Sequence, residues 1–161
     1  MAAMAAVPER RARFTEAKHL AILTQPIHSS GWLHYRRPDR LEKFTETPLE
    51  ERLLVAGDSI TLETAAEGRR AFNLADAPEL RSLVAAIRAP LAGDLPTLTE
   101  AFTLTSGGTL AGWWLDLTPK EPRIARFLRH IRLEGAGTDM LATRSEQANG
   151  DILAMQIRPQ P

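Results

Sequence analysis

The residue types that most often carry chemistry are present in this chain, but their spacing assembles none of the usual centres. Four histidines, His19, His28, His34 and His130, are its candidate metal ligands and general bases. His28 and His34 lie too far apart for a same-face pair on one short strand with a third ligand in view, and all four read as structural or solvated. Ser106-Gly107-Gly108-Thr109 has the glycines of a phosphate-binding loop but lacks its lysine and its following helix. Neither a Gly-x-Ser-x-Gly elbow nor a Ser-His-Asp arrangement is visible. Carboxylates stand close at Asp39 and Glu42, and at Asp116 and Glu121, but 20 acidic residues among 161 produce such neighbours by chance. There is no cysteine, which removes a thiol nucleophile, Cys-ligated zinc and a disulfide framework. The pattern names no catalytic residue, no metal and no cofactor. What remains is non-covalent: holding a ligand.

Composition narrows the class further. A chain of 161 residues suffices for one domain with a real core. Twenty basic residues balance 20 acidic ones, so nucleic acid is not an expected partner. Arg is dense at Arg10, Arg11 and Arg13 and again at Arg123, Arg126, Arg129 and Arg132, and these read as solvated faces. No apolar run approaches the roughly 18 residues of a membrane span. Met1 to Val7 is Ala-rich but has neither a charged n-region nor a long apolar h-region, so a signal peptide is not expected within this chain.

The elements that would shape a ligand site follow from periodicity. Residues 1–12 read as the end of an N-terminal helix, with Pro8 after its Ala-rich part. From Arg13 the chain alternates with period two: Phe14, Glu16 and Lys18 on one face, then Leu33, Tyr35 and Arg37, then Leu41, Lys43 and Thr45. Turn signals stand at Pro38-Asp39, Gly57-Asp58, Ser106-Gly107-Gly108 and Asn149-Gly150. In the middle the period changes. Asp76-x-x-Glu79 reads as a capping box with Pro78 in the first turn. Leu80, Leu83, Val84 and Ile87 then form an i, i+3, i+4, i+7 stripe, with Pro90 and Gly93 ending the helix. Asp94 caps a second short helix reaching about Glu100. The expectation is a mainly β chain of about 11 antiparallel strands with helices inserted at 76–100, which must cover something.

Phe14-Thr15-Glu16, Gly31-x-Leu33-x-Tyr35-x-Arg37-Pro38-Asp39 and Leu54-Val55-x-Gly57-Asp58 stand in this order, with the helical insertion and the closing Asn149-Gly150-Asp151 hairpin after them. Together they resemble the LolA-like carrier proteins. The resemblance implies an unclosed antiparallel β-barrel, a single domain over 1–161, and a helical lid at 76–100 over an apolar cavity. It implies a periplasmic, non-enzymatic, monomeric carrier of an acyl-chain lipid or lipidated cargo. The donor would be an inner-membrane exporter and the acceptor would lie at the outer membrane. A leader would have been removed from such a chain.

On this resemblance the cavity wall is Phe14, Leu33, Tyr35, Leu41, Leu54 and Leu62 from the first strands. The lid adds Leu80, Leu83, Val84, Ile87 and Leu98. The later strands add Trp113, Leu115 and Ile131. Arg37 matches an Arg that latches the lid by donating to its backbone carbonyls, a task suited to five fixed donors. Lys43 departs from the family pattern, where a large aromatic stands. Facing Glu16 and near Arg37, it is expected to meet an acidic head group, since a lone buried charge is costly. The chain also starts late in the family's first helix and lacks a C-terminal extension, which argues against a triacylated cargo. Two other readings use the same residues: an assembly protein with a filled core and an outward Trp from the pair Trp113-Trp114 as docking anchor, and an enzyme on acyl groups for which no nucleophile can be named.

Overall fold

The computed structural model describes residues 2–161. A short helix α1 (Ala2–Ala5) precedes six strands: β1 (Glu9–His19), β2 (Ile27–Arg36), β3 (Arg40–Thr47), β4 (Glu51–Ala56), β5 (Ser59–Thr64) and β6 (Gly68–Asn73). Two helices follow, α2 (Pro78–Ala92) and α3 (Leu95–Ala101). The chain then forms β7 (Phe102–Thr109), β8 (Gly112–Pro119), α4 (Pro122–Ala125), β9 (Leu128–Ala136), β10 (Asp139–Gln147) and β11 (Ile152–Gln160). All 11 strands make one antiparallel sheet in the order β6-β5-β4-β3-β2-β1-β11-β10-β9-β8-β7. The strands β6 and β7 are its two edges, so the barrel is unclosed, as the resemblance implies.

This order explains the helices. Two meanders, β1–β6 and β7–β11, meet where β1 pairs with β11, Phe14 opposite Ile157. The chain must therefore pass from one outer edge to the other between β6 and β7, and it does so through α2 and α3. At 1.5 Å per residue, the 15 residues of α2 span roughly 22 Å. The apolar stripe at period 3.6 turns α2 onto the strands' inward side chains. Val84 packs with Val55, Ile60 and Leu74 in one small core. Ala86, Leu98, Phe102, Leu117, Ile131 and Leu133 belong to a second, larger one.

Several boundaries differ from the sequence reading. The N-terminal helix stops at Ala5, and β1 begins at Glu9 rather than Arg13. Glu9 pairs with Arg36, and Arg11 pairs with both His34 and Gln160. The strand start is hidden because its first inward residue is charged: Arg10, Ala12, Phe14 and Glu16 share the inner face. Asp76 does not cap α2. It closes a single 3-10 turn (Leu74–Asp76) that Asn73 caps through Ala75 N, while Ala77 is the N-cap of α2 and makes no side-chain bond. The side chain of Glu79 lies outside the described residues. Pro90 does not end α2 either. It sits in the last turn, and Gly93, left-handed at φ 69°, terminates the helix. Asp94 does cap α3, accepting from Thr97 N at 3.2 Å.

Ser106-Gly107-Gly108 is not a turn. Those residues continue β7, and the chain reverses at Leu110-Ala111. Gly107 lies opposite Trp114, and a Cβ there would stand 2.5 Å from that indole. The glycine makes room for the ring across the strands, a use of Gly that sequence cannot separate from a turn.

Candidate functional site

Between α2 and the inner face of the sheet lies a cavity of about 630 Å3. Its roof is the α2 stripe, Leu80, Leu83, Val84 and Ile87, extended by Leu91. Its floor starts with Leu33, Tyr35, Leu41 and Lys43 on β2 and β3, and Ile131 stands on the far wall. Strand β11 adds Leu153, Met155 and Ile157. These alternate opposite Lys18, Glu16 and Phe14, so period two on the last strand is the signal that could have found them.

The remaining expected wall residues are elsewhere. Leu54 faces away: Leu41 pairs with Val55 and Lys43 with Leu53, so Leu53 and Val55 reach the cavity and Leu54 sits opposite Glu42 on the other face. The run Leu53-Leu54-Val55 is apolar on both faces, and only the register sets which side turns inward. Leu62 shares the face of Leu53 but lies beyond the cavity. Leu98 is buried in the core under α3, and Trp113 and Leu115 pack against the same core without lining the cavity. Trp113 also donates from Nε1 to Gly137 O at 3.0 Å. Trp114 lies on the opposite, outer face, where Arg132 covers its ring at 4.6 Å.

Phe14 is buried but does not line the cavity, because an ion pair covers it. Lys43 Nζ donates to Glu16 Oε2 at 2.9 Å and passes 5.1 Å from the Phe14 ring centre. The pair is well shielded, with side-chain exposures of 23% for Lys43 and 10% for Glu16. Lys43 thus faces Glu16 as expected, but its charge is already matched inside the protein.

Among the described residues Arg37 makes no bond to the helices at 78–101. Its Nη1 donates to Ala5 O and its backbone N to Pro8 O, so it ties β2 to the N-terminal segment. The tie on α2 has the reverse polarity. Arg88, on α2, donates from Nη1 to Gly57 O at 2.7 Å and to Asp39 O at 3.1 Å, the carbonyls of the β4–β5 and β2–β3 turns. Nothing in the spacing around Arg88 marks it; the two turns come together only in the folded sheet. Charge-assisted bonds of this kind contribute about 1.5–3 kcal/mol. Replacing Arg88 by Met should raise hydrogen exchange at the α2 amides by roughly 10-fold or more, with exchange in β9 and β10 unchanged. Unaltered α2 exchange would mean that apolar packing alone seats the helix.

Arg10 is not on a solvated face. It lines the cavity at the end where β1 begins, opposite Tyr35 in the β1–β2 register. Its side chain is 13% exposed; Nη1 donates to Thr138 O and stands 3.7 Å from Asp139 Oδ1. Among the described residues no group of three or more His, Cys, Asp or Glu side chains is placed to hold a metal ion. Among the described residues no helix is long and apolar enough to cross a membrane. The lining is mostly apolar, with charged groups at the floor and one end, and so can accommodate an apolar body.

A LolA superfamily protein from Nitrosomonas europaea superposes with a TM-score of 0.45 at 8% identity, covering 93% of this chain and 84% of that one. A putative outer membrane lipoprotein-sorting protein domain from Vibrio parahaemolyticus gives 0.45 at 9%, covering 95% and 86%. The MucA/MucB complex of Pseudomonas aeruginosa gives 0.48 at 10%, covering 98% of this chain but 53% of that chain, about half its length. No curated protein matches. The family model described as "Outer membrane lipoprotein carrier protein LolA-like" matches residues 1–157. The chain therefore belongs to the LolA-like family of outer membrane lipoprotein carrier proteins.

Proposed function

We propose that residues 1–161 act as one non-catalytic carrier domain. It takes a single acyl chain, or a hydrophobic molecule of similar size, into the cavity under α2 and shuttles it across the periplasm. The observation that carries this reading is about 630 Å3 of space left between the apolar stripe of α2, Leu80, Leu83, Val84 and Ile87, and the sheet, even though Val84 also packs on Val55 and Ile60. A helix that merely completed a core would leave no such space, because interiors pack to crystal density. The volume suits one chain. Each buried methylene contributes roughly 0.8 kcal/mol, so a 16-carbon chain would gain on the order of 12 kcal/mol before ordering costs. Tight holding then needs no special chemistry, and release requires α2 to move. In this reading an inner-membrane exporter loads the carrier, an outer-membrane acceptor unloads it, and the exchange is a shift between open and closed positions of α2.

The test is direct. Purified protein is extracted with organic solvent and the extract examined by mass spectrometry, and the delipidated protein is titrated with the neutral probe N-phenyl-1-naphthylamine. A saturable site is expected, and Leu83→Trp, which fills the cavity from its roof, should weaken it by at least about 10-fold. Probe binding that Leu83→Trp leaves unchanged, with no lipid in the extract, would end this reading.

A further inference from the structure

Arg10 carries a binding feature that the carrier reading leaves unused. Its Nε and Nη2 atoms are buried without a hydrogen-bond partner, the only such side-chain atoms among the described residues. These two nitrogens form one edge of the guanidinium plane, the fork that takes a carboxylate or phosphate through two parallel bonds. Both contacts of the side chain, Thr138 O and Asp139 Oδ1, engage the other nitrogen, Nη1. Asp139 is 52% exposed and sits at 3.7 Å, too far for a hydrogen bond and too wet to balance the charge fully. The other carboxylates near the cavity are occupied. Glu9 is held by His34 and Arg11, and Glu16 by Lys43. Burial lowers the pKa of Arg10, opposed by Asp139 and then Tyr35. A guanidinium nevertheless stays charged. Buried donors left unpaired are rare and costly, so this covered edge of a cation beside an apolar cavity fits an anion that arrives with the cargo and reaches the two nitrogens as the side chain shifts.

We propose that Arg10 is the head-group residue of the cavity: its Nε–Nη2 fork binds the oxyanion of an amphiphile whose apolar body lies under α2. This deepens the carrier reading and rests on it. It also moves the expected head-group contact from Lys43, whose charge Glu16 already matches, to Arg10 near the start of β1. The cargo class becomes a free acid or a phosphate monoester with one chain, rather than a neutral ester or an amide-linked anchor.

The test compares cis-parinaric acid with its methyl ester, two fluorescent ligands sharing one chain. Wild-type protein should bind the acid at least 10-fold more tightly. Arg10→Met keeps the volume and removes the fork, and should reduce acid affinity 10- to 100-fold while leaving the ester within about 2-fold. Displacement of the acid by palmitate or by lysophosphatidic acid then tells a carboxylate head from a phosphate one. Equal wild-type affinity for acid and ester would overturn the role of Arg10 while leaving the carrier reading in place, and it needs no variant to fold. So would an Arg10→Met protein that still prefers the acid. If wild-type protein binds neither, the carrier reading fails first.

Discussion

Gly31→Ala should cost the protein at least about 3 kcal/mol, a fall in Tm of roughly 6–12 °C for a chain of this size. Gly31 lies on β2 where the pairing with β3 slips by one residue, between Ser30 and Gly31. A Cβ there would stand 1.9 Å from Phe44 O and 2.9 Å from Thr45 Cα. Both are backbone atoms of the neighbouring strand, so no side chain can turn aside to relieve the clash. Gly31 also lies directly opposite Phe14 in β1, at the part of the floor covered by Lys43. Parting β2 from β3 there would disturb the cavity as well as the ladder. Gly112→Ala is the matched control, because nothing lies within 4 Å of its added Cβ, and it should stay within about 0.5 kcal/mol of wild type. Urea denaturation of both variants measures the difference. A Gly31→Ala protein as stable as Gly112→Ala would show that β2 and β3 are not in this close register.

Lys43→Leu should cost about 2 kcal/mol, and adding Glu16→Leu should return most of it. Removing one partner of a fully buried pair costs roughly 3–5 kcal/mol, because the other charge is left dry. The Lys43–Glu16 pair keeps some contact with water, Lys43 more than Glu16, which lowers the figure. In the single variant Glu16 retains only Ser29 Oγ, at 3.4 Å. In the double variant two leucines replace two charges, a change that is often neutral or stabilising. The same double variant should bind N-phenyl-1-naphthylamine more tightly than wild type, since the floor over Phe14 turns apolar. Denaturation curves and probe titrations read the two effects separately. A neutral Lys43→Leu would mean that Glu16 is solvated without its partner.

The ion pair shows why part of the site was legible in advance. Phe14, Glu16 and Lys43 sit at inward positions of two strands whose alternation is regular, so a side-by-side placement of Glu16 and Lys43 could be anticipated. That Lys43 would lie over Phe14 and take it out of the cavity depends on the tilt and coiling of the sheet, which period two does not encode. Leu54 failed for a related reason. A three-residue apolar run has no polar partner to mark its outward face, and the pairing of Val55 with Leu41 decides the matter.

By itself the sequence determined the class of this protein: 11 strands, a helical pair after the sixth, the apolar stripe of α2, and membership of a carrier family. These are properties of local periodicity, of turn residues and of motifs in order along the chain. The tertiary structure decided where the charges act. Arg37 was expected to hold the helices at 76–100 and instead ties β2 to the N-terminal segment, while Arg88, for which no role was expected, holds α2 because its carbonyl acceptors come together only when the turns at Asp39 and Gly57 meet that helix. Arg10 looked like one of three solvated arginines. It became the cation at the cavity end because β11, from the far end of the chain, pairs beside β1 and brings Thr138 and Asp139 within reach. Partners separated by 128 residues leave no local trace, since their contact is a consequence of sheet order rather than of spacing.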